Sequence, residues 1–415
     1  MKKVILSLVA VNAMILIGLM ALVMTSVSAQ AASNDPLCFT NNGTMTAQIM
    51  LKQNGTSWTN AIPSVEYKLD DAEWQSVVYG TNIAVTEGSK VSFRASSSNA
   101  TFSESKKNYL QFVMVGSDIN ASGNVMSLLD ASCERNDVPA YAFYRLFRGC
   151  YAMVSAPELP ATELNEYCYC YMFFACNRLE VAPELPATKM AMKCYCYMFN
   201  DCYAMTQAPV LPATELAEGC YKNMFGACSN LQSAPQLKSA QLAEDCYYGM
   251  FADCHALTRA PELPATELNI DCYNQMFAYC HNLETAPELP ATELVEGCYQ
   301  QMFKGCKKLG AMTVSFDALE SATAIDEMMD DVAEEGLFVC HADINTELLR
   351  EMCQLPSKWE IRTDRPDDNA EPMVGTTTAV EEAQVAAEGA SKMIENGRVV
   401  IAKGGVKYDM NGRVL

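Results

Sequence analysis

The chain has 415 residues, half of them hydrophobic, enough to bury a substantial core and to hold more than one structural unit. Its formal net charge of −21 argues against nucleic-acid phosphate as a partner, which calls for a basic patch. Acidity of this size chiefly favours solubility.

Residues 1–30 read as a signal peptide. Lys2 and Lys3 supply a positive start, Val4 to Met24 is apolar, and Val27-Ser28-Ala29 ends a small, polar cleavage region. The apolar run is long enough to span a bilayer, so an uncleaved anchor is the alternative. No second run of that length occurs, and the mature chain is expected to be exported without a transmembrane span.

Residues 31–132 are expected to form one domain, within which residues 36–130 alternate in the manner of strands. Val65, Tyr67 and Leu69 alternate with charged residues, and Val91 and Phe93 continue the pattern. Asn54-Gly55, Asp70-Asp71 and Glu87-Gly88 are hairpin signals. A small immunoglobulin-like β-domain is expected, shielding the first of the repeats.

Residues 133–312 are repetitive. Cysteine recurs every 26 residues at 150, 176, 202, 228, 254, 280 and 306, and a second cysteine column runs from Cys168 to Cys298 with tyrosine after each. Phenylalanine marks a third column from Phe147 to Phe303, and Ala-Pro-x-Leu returns once per copy. Six full copies and a partial first one, with no insertion, predict a solenoid of one supersecondary unit per period. Cys168, Met172, Cys176 and Leu179 stand at i, i+4, i+8 and i+11, the face of a helix, with Thr162 as N-cap and Pro160 before it. "NRLEVAPEL" reads as a short extended edge. The expected fold class is α+β: a short leucine-rich-repeat solenoid of 26-residue strand-plus-helix units, preceded by the β-domain. A lone unit buries too little to fold, so neighbours must share their faces.

"APELPATELAEGCY" with its trailing Met-Phe, Cys and Leu resembles the repeat of BspA-like leucine-rich-repeat proteins, cell-surface proteins of host-associated anaerobic bacteria. "SGNVMSLLD" (122–130) and "AYAFYRLFRGC" (140–150) resemble that family's junction into its first repeat, and "MMDDVAEEGLFVCHAD" with "LPSKWEIRTD" resembles its closing segment. Lys238 replaces a repeat proline in one eroded copy. The resemblance implies a surface protein engaged in adhesion to host or bacterial proteins.

Residues 313–364 are expected to cap the last repeat with a helix and Trp359, and the acidic Ala/Thr/Pro-rich residues 365–391 to form a linker. Residues 392–415 carry Asn396-Gly397, Gly404-Gly405 and Asn411-Gly412 between three short strands. They resemble the C-terminal sorting tails of exported proteins of the same bacteria; a plain terminal β-hairpin is the alternative.

Nineteen cysteines in an exported chain suggest disulfides. Helices packed about 8–10 Å apart would hold same-column cysteines beyond the roughly 7 Å that a disulfide spans. The columns are therefore expected as buried thiols, with Cys170–Cys196 and Cys38–Cys133 as the candidate bridges. Cys254-His255 and Cys280-His281 offer zinc-ligand chemistry, but the position after this cysteine varies freely elsewhere, and no metal is expected. The columns of Glu158, Glu184, Glu262 and Glu288, and of Glu163, Glu215, Glu267 and Glu293, read as a solvated rim rather than a calcium site.

Three histidines and no nucleophile, nucleotide-loop or metalloprotease motif point away from an enzyme and from any cofactor. The positions that change between copies are the candidate binding surface. They are Glu180, Thr206, Gln207, Gln232, Thr258, Arg259 and Glu284 beside the extended edge, and Tyr171, Tyr197, Tyr248 and Tyr279 on the outer side. The expected function is a non-catalytic, exported, outer-membrane-associated or secreted surface protein that binds a host or bacterial protein. The alternatives are a glycan-binding accessory of a surface uptake system and a structural spacer without a ligand.

Overall fold

The computed structural model describes residues 33–319, 323–363, 390–395, 398–403 and 406–408. The expected signal peptide and most of the expected linker lie outside them, as do Asn396-Gly397, Gly404-Gly405 and Asn411-Gly412. The chain divides into a unit ending at Asp364 and a second unit, Arg365–Leu415.

The first unit begins with eight strands: β1 (Leu37–Asn41), β2 (Ala47–Asn54), β3 (Val65–Leu69), β4 (Gln75–Ser76), β5 (Ile83–Val85), β6 (Lys90–Ala95), β7 (Tyr109–Val115) and β8 (Ile119–Ser122). Alternate residues of β1 and β7 are buried, the period-two signature of strands covered on one face. β2 pairs antiparallel with both β5 and β7, while β1 pairs with β6 and β8. Of the three expected hairpins, only Asp70-Asp71 makes one, between β3 and β4. Chain segments at Asn54-Gly55 and Glu87-Gly88 cross between the sheets instead.

A 3-10 turn at Val125–Leu128, capped by the Asn124 side chain, leads into β9 (Asp137–Val138) and the repeats. Here β10 (Met153–Ser155) pairs parallel with β8, and β11 (Glu163–Leu164) with β9. The β10 pairing extends the larger sheet to the order β10-β8-β1-β6-β3-β4. Phe112 of β7 stacks on Phe147 of the first repeat at 5.6 Å, so the β-strands and the repeats share one core.

The strand-plus-helix solenoid does not form. Among the described residues the one α-helix is α1 (Thr346–Met352), outside the repeats; the segments expected to be helical are runs of turns. Their amides alternate between two partners. Cys168, Cys170, Met172 and Phe174 donate to carbonyls three residues back, at 3.1–3.3 Å. Tyr169, Tyr171, Phe173 and Ala175 donate to Cys194, Cys196, Met198 and Asn200, each 25 residues ahead, at 2.8–3.0 Å. Every fourth residue is left-handed: Tyr167 at φ 55°, Tyr171 at 59° and Ala175 at 59°. Successive 26-residue segments thus lie as hydrogen-bonded rungs.

A four-residue turn explains why the pattern resembles a helix. Eight residues make two such turns but about 2.2 turns of α-helix, too small a difference to separate over eleven positions. The four-residue period turns Cys168, Tyr169, Met172, Phe173 and Cys176 inward, and all are fully buried. Thr162 is not an N-cap. Its amide donates to the Asn136 side chain at 3.0 Å, and its hydroxyl accepts from the Asn136 side-chain amide at 2.7 Å. The extended edge forms isolated parallel bridges rather than continuous strands, among them Ser155 with Val181 and Arg259 with Thr285.

Rung spacing shows in the side chains. Tyr169, Tyr195, Tyr221, Tyr247, Tyr273 and Tyr299 stack at 5.8–6.0 Å, and the Phe147-to-Phe303 column stacks at 5.4–5.8 Å. Each cysteine from Cys176 to Cys306 in this column donates its thiol at 3.0–3.2 Å to a phenylalanine carbonyl of the preceding rung, beginning with Cys176 to Phe147. The expected spacing that ruled out disulfides is thereby corrected, because rungs this close bring same-column cysteines within bridging reach. All nineteen cysteines are nonetheless free thiols, Cys170, Cys196, Cys38 and Cys133 included. Burial pushes Cys176, Cys228 and Cys306 up to about 12.

Beyond the last repeat, β12 (Ala311–Thr313), β13 (Leu337–Val339) and β14 (Glu360–Arg362) form a parallel sheet. Trp359 is buried, donating its indole N–H to the Ala333 carbonyl at 2.8 Å. In the second unit β15 (Ala390–Glu395), β16 (Arg398–Lys403) and β17 (Val406–Tyr408) form an antiparallel sheet.

Gly249, at φ 57° and with its missing Cβ 2.5 Å from Asn223 Oδ1, occupies a left-handed position. Gly249→Ala should destabilise by about 1 kcal/mol in chemical denaturation, whereas the same change inside a helix would stabilise by about that amount. Alkylation of the native protein at about pH 8 should label Cys38, the one cysteine that is not buried, well before the others, and denatured protein should yield nineteen reactive thiols.

Candidate functional site

The eleven candidate residues fall on separate surfaces. Glu180, Thr206, Gln207, Gln232, Thr258, Arg259 and Glu284 are all exposed and stand along the bridge edge. Main-chain bonds at this edge join alternate pairs of rungs: Glu180 to Val154 at 3.1 Å, Gln232 to Thr206 at 3.0 Å, and Glu284 to Thr258 at 3.0 Å. Between those pairs the bond shifts to Ala204 with Asn177 and Ala256 with Ser229. The edge is therefore a row of side chains at rung spacing, fixed by backbone that makes no demand on their identity.

The tyrosines divide. Tyr171 and Tyr197 are half-buried and stack face to face at 4.8 Å on the turn side. Tyr248 stands two rungs further, in the neighbouring column of Cys170, Cys196 and Lys222, with Lys222 Nζ 4.0 Å from its ring centre. Tyr279 belongs to a different column. It is exposed, left-handed at φ 61°, and lies over Gly305.

Tyr171 and Tyr197 line a groove of about 340 Å³. One wall is the loop that carries Lys106; the others are the turn faces of the first rungs, with Arg145, Cys170 and Lys193. The Lys106 loop is held by Glu104, whose carboxylate accepts from the amides of Thr59 at 3.0 Å and Asn60 at 2.8 Å and from the Thr59 hydroxyl. The Thr59 bonds chiefly hold this carboxyl down at about 2, so the clasp persists above that pH and is lost as pH falls through it.

Cations are unequally partnered in the groove. Lys193 pairs with Glu218 at 2.6 Å and Lys222 with Asp245 at 2.8 Å. Among the described residues neither Lys106 nor Arg145 has an ion-pair partner. Lys106 lies 4.0 Å over Tyr167, whose phenol raises its ammonium above the ordinary range. Arg145 lies among Tyr109, Tyr144 and Tyr171, its guanidinium carbon 4.9–5.6 Å from the three ring centres, and its Nε is buried without a hydrogen-bond partner. Burial and then the bond with Cys196 push the Cys170 thiol well up, so this thiol sits in the groove protonated.

Sequence reasoning missed Lys106 and Arg145. Neither belongs to a repeat column that stands out, and they meet only because the β-strands pack on the first rung. The other sequence candidates are less connected. His255 and His281 stack on each other at 4.6 Å while the neighbouring Cys254 and Cys280 are buried, and among the described residues no group of three or more His, Cys, Asp or Glu converges as a metal site would. In the acidic columns, Glu215 pairs with Lys189 at 3.0 Å and Glu158 accepts from the Ser33 amide at 2.7 Å. Among the described residues no helix is long and apolar enough to cross a membrane. Comparison of the chain with models of known protein families, with curated proteins and with solved structures finds no match in any of the three.

Proposed function

We propose that this chain is a non-catalytic, exported surface protein that binds a host or bacterial protein along the exposed edge of its rungs. One observation carries the reading: the residues that differ between copies stand exposed in a single row, while the residues that recur fill the core. From Glu180 to Glu284 the row crosses four rung steps, roughly 19 Å at about 4.8 Å per step, enough for an extended segment of a partner. The row mixes Glu180, Arg259 and Glu284 with Thr206, Gln207 and Gln232, the polar composition of a reversible interface rather than an obligate one. The apolar N-terminal run and the BspA-like repeat support export and a surface location.

Because the row is solvent-exposed, its side chains can change without cost to the core. The double substitution Arg259→Glu with Glu284→Lys should leave the protein's stability unchanged within about 0.5 kcal/mol in thermal denaturation. Against a panel of immobilised extracellular-matrix and bacterial surface proteins, the full chain should bind at least one member, and the double variant should bind it at least about tenfold more weakly. Undiminished binding of the double variant to every panel member would remove the edge as the contact surface.

A further inference from the structure

The groove beside Tyr171 and Tyr197 lies apart from the exposed row of Glu180 to Glu284, and its chemistry points to a different ligand. We propose that it binds one carboxylate-bearing pyranose, a sugar acid, with the carboxylate on Arg145 and Lys106 and the ring hydroxyls on the tyrosine phenols.

Charge is the first ground. In a chain of net charge −21, two cations face one groove with no carboxylate paired to either among the described residues. Lys193 and Lys222, on the same groove, are already neutralised by Glu218 and Asp245. The site therefore has charge for a single anionic group and not for a polyanion. A guanidinium held by three aromatic rings is pre-oriented, and its fork matches a carboxylate.

Shape is the second. The ring faces are occupied: Tyr171 stacks on Tyr197 at 4.8 Å, Tyr141 on Tyr167 at 4.9 Å, and Lys106 covers Tyr167. What Tyr171 and Tyr197 have left to offer is their hydroxyl edges. Phenols that both donate and accept suit a ligand rich in hydroxyls, and suit a flat hydrocarbon poorly. A volume of about 340 Å³ is at the small end of ligand pockets and limits the occupant to one or two rings.

Calorimetric titration of the full chain tests the assignment, with galacturonate, galactose and acetate as probes. Galacturonate should bind saturably, and galactose and acetate each at least about tenfold more weakly, since the first lacks the charge and the second the hydroxyls. Raising salt from about 0.05 M to about 0.5 M should weaken galacturonate binding several-fold. Arg145→Ala should abolish it. Lys106→Ala, at an exposed loop position where folding is unaffected, should weaken it on the order of tenfold and keeps the test intact if Arg145→Ala fails to fold. Equal affinity for galactose removes the carboxylate contact, and equal affinity for acetate removes the sugar. Galacturonate affinity unchanged in Lys106→Ala overturns the site.

Discussion

The architecture depends on how each rung divides its backbone amides. Alternate N–H groups bond three residues back, and the rest bond to the rung ahead, so both sets of polar groups are satisfied inside a chain whose turns are buried on one side. Neither a helix nor a sheet makes this division. A helix would direct every amide along its own axis, leaving neighbouring units to meet through side chains alone, about 8–10 Å apart. Main-chain bonds between rungs draw them close enough for aromatic rings to stack at 5.4–6.0 Å. The cost is a left-handed residue at every fourth position, about 1–2 kcal/mol where it is not glycine.

That close spacing determines which residues the interior accepts. Identical rings stack in register on themselves, which accounts for the tyrosine column from Tyr169 to Tyr299 and the phenylalanine column from Phe147 to Phe303. In the Cys176-to-Cys306 column cysteine recurs because its small thiol fits between rungs and donates to a phenylalanine carbonyl that the turn leaves accessible. Leucine would fill the space but has no donor to offer. The outward columns obey a looser rule. Gln275, Gln301 and Glu327 link side chains from rung to rung at 2.8–2.9 Å, and Lys304 joins Glu327 and Asp330. Earlier in the stack, the equivalent positions are Tyr171 and Tyr197, so an exchange confined to the surface columns converts a polar ladder into a groove.

The two candidate surfaces share one geometric origin. On the bridge edge the backbone alone maintains the rungs, and side chains there are free to differ. On the turn side the β-strands dock against the first rung through Phe112 and Phe147, and that docking carries Lys106 over the tyrosines. One surface is extended and repetitive; the other is single and local, confined to the end where the two parts of the core meet.

The sequence by itself determined the 26-residue period, the inward identity of the Cys, Tyr, Met, Phe and Leu columns, the exposure of the variable row and the β-strand character expected of residues 36–130 as far as Ser122, beyond which a 3-10 turn follows. Hydrophobic spacing alone reports which residues share a side, and these properties depend on nothing more. It did not separate a four-residue turn from a 3.6-residue helix over so short a run. The distinguishing signal was present in the columns that hold Gly219 and Gly297, Gly249, and Gly149 and Gly305, where asparagine and aspartate also gather at four-residue spacing, the residues that tolerate a left-handed backbone. Only the tertiary structure decided the rung spacing, because it arises from bonds between residues 25 positions apart. The same holds for the meeting of Lys106 with Arg145, since neither segment encodes the docking that brings two uncompensated cations to one groove.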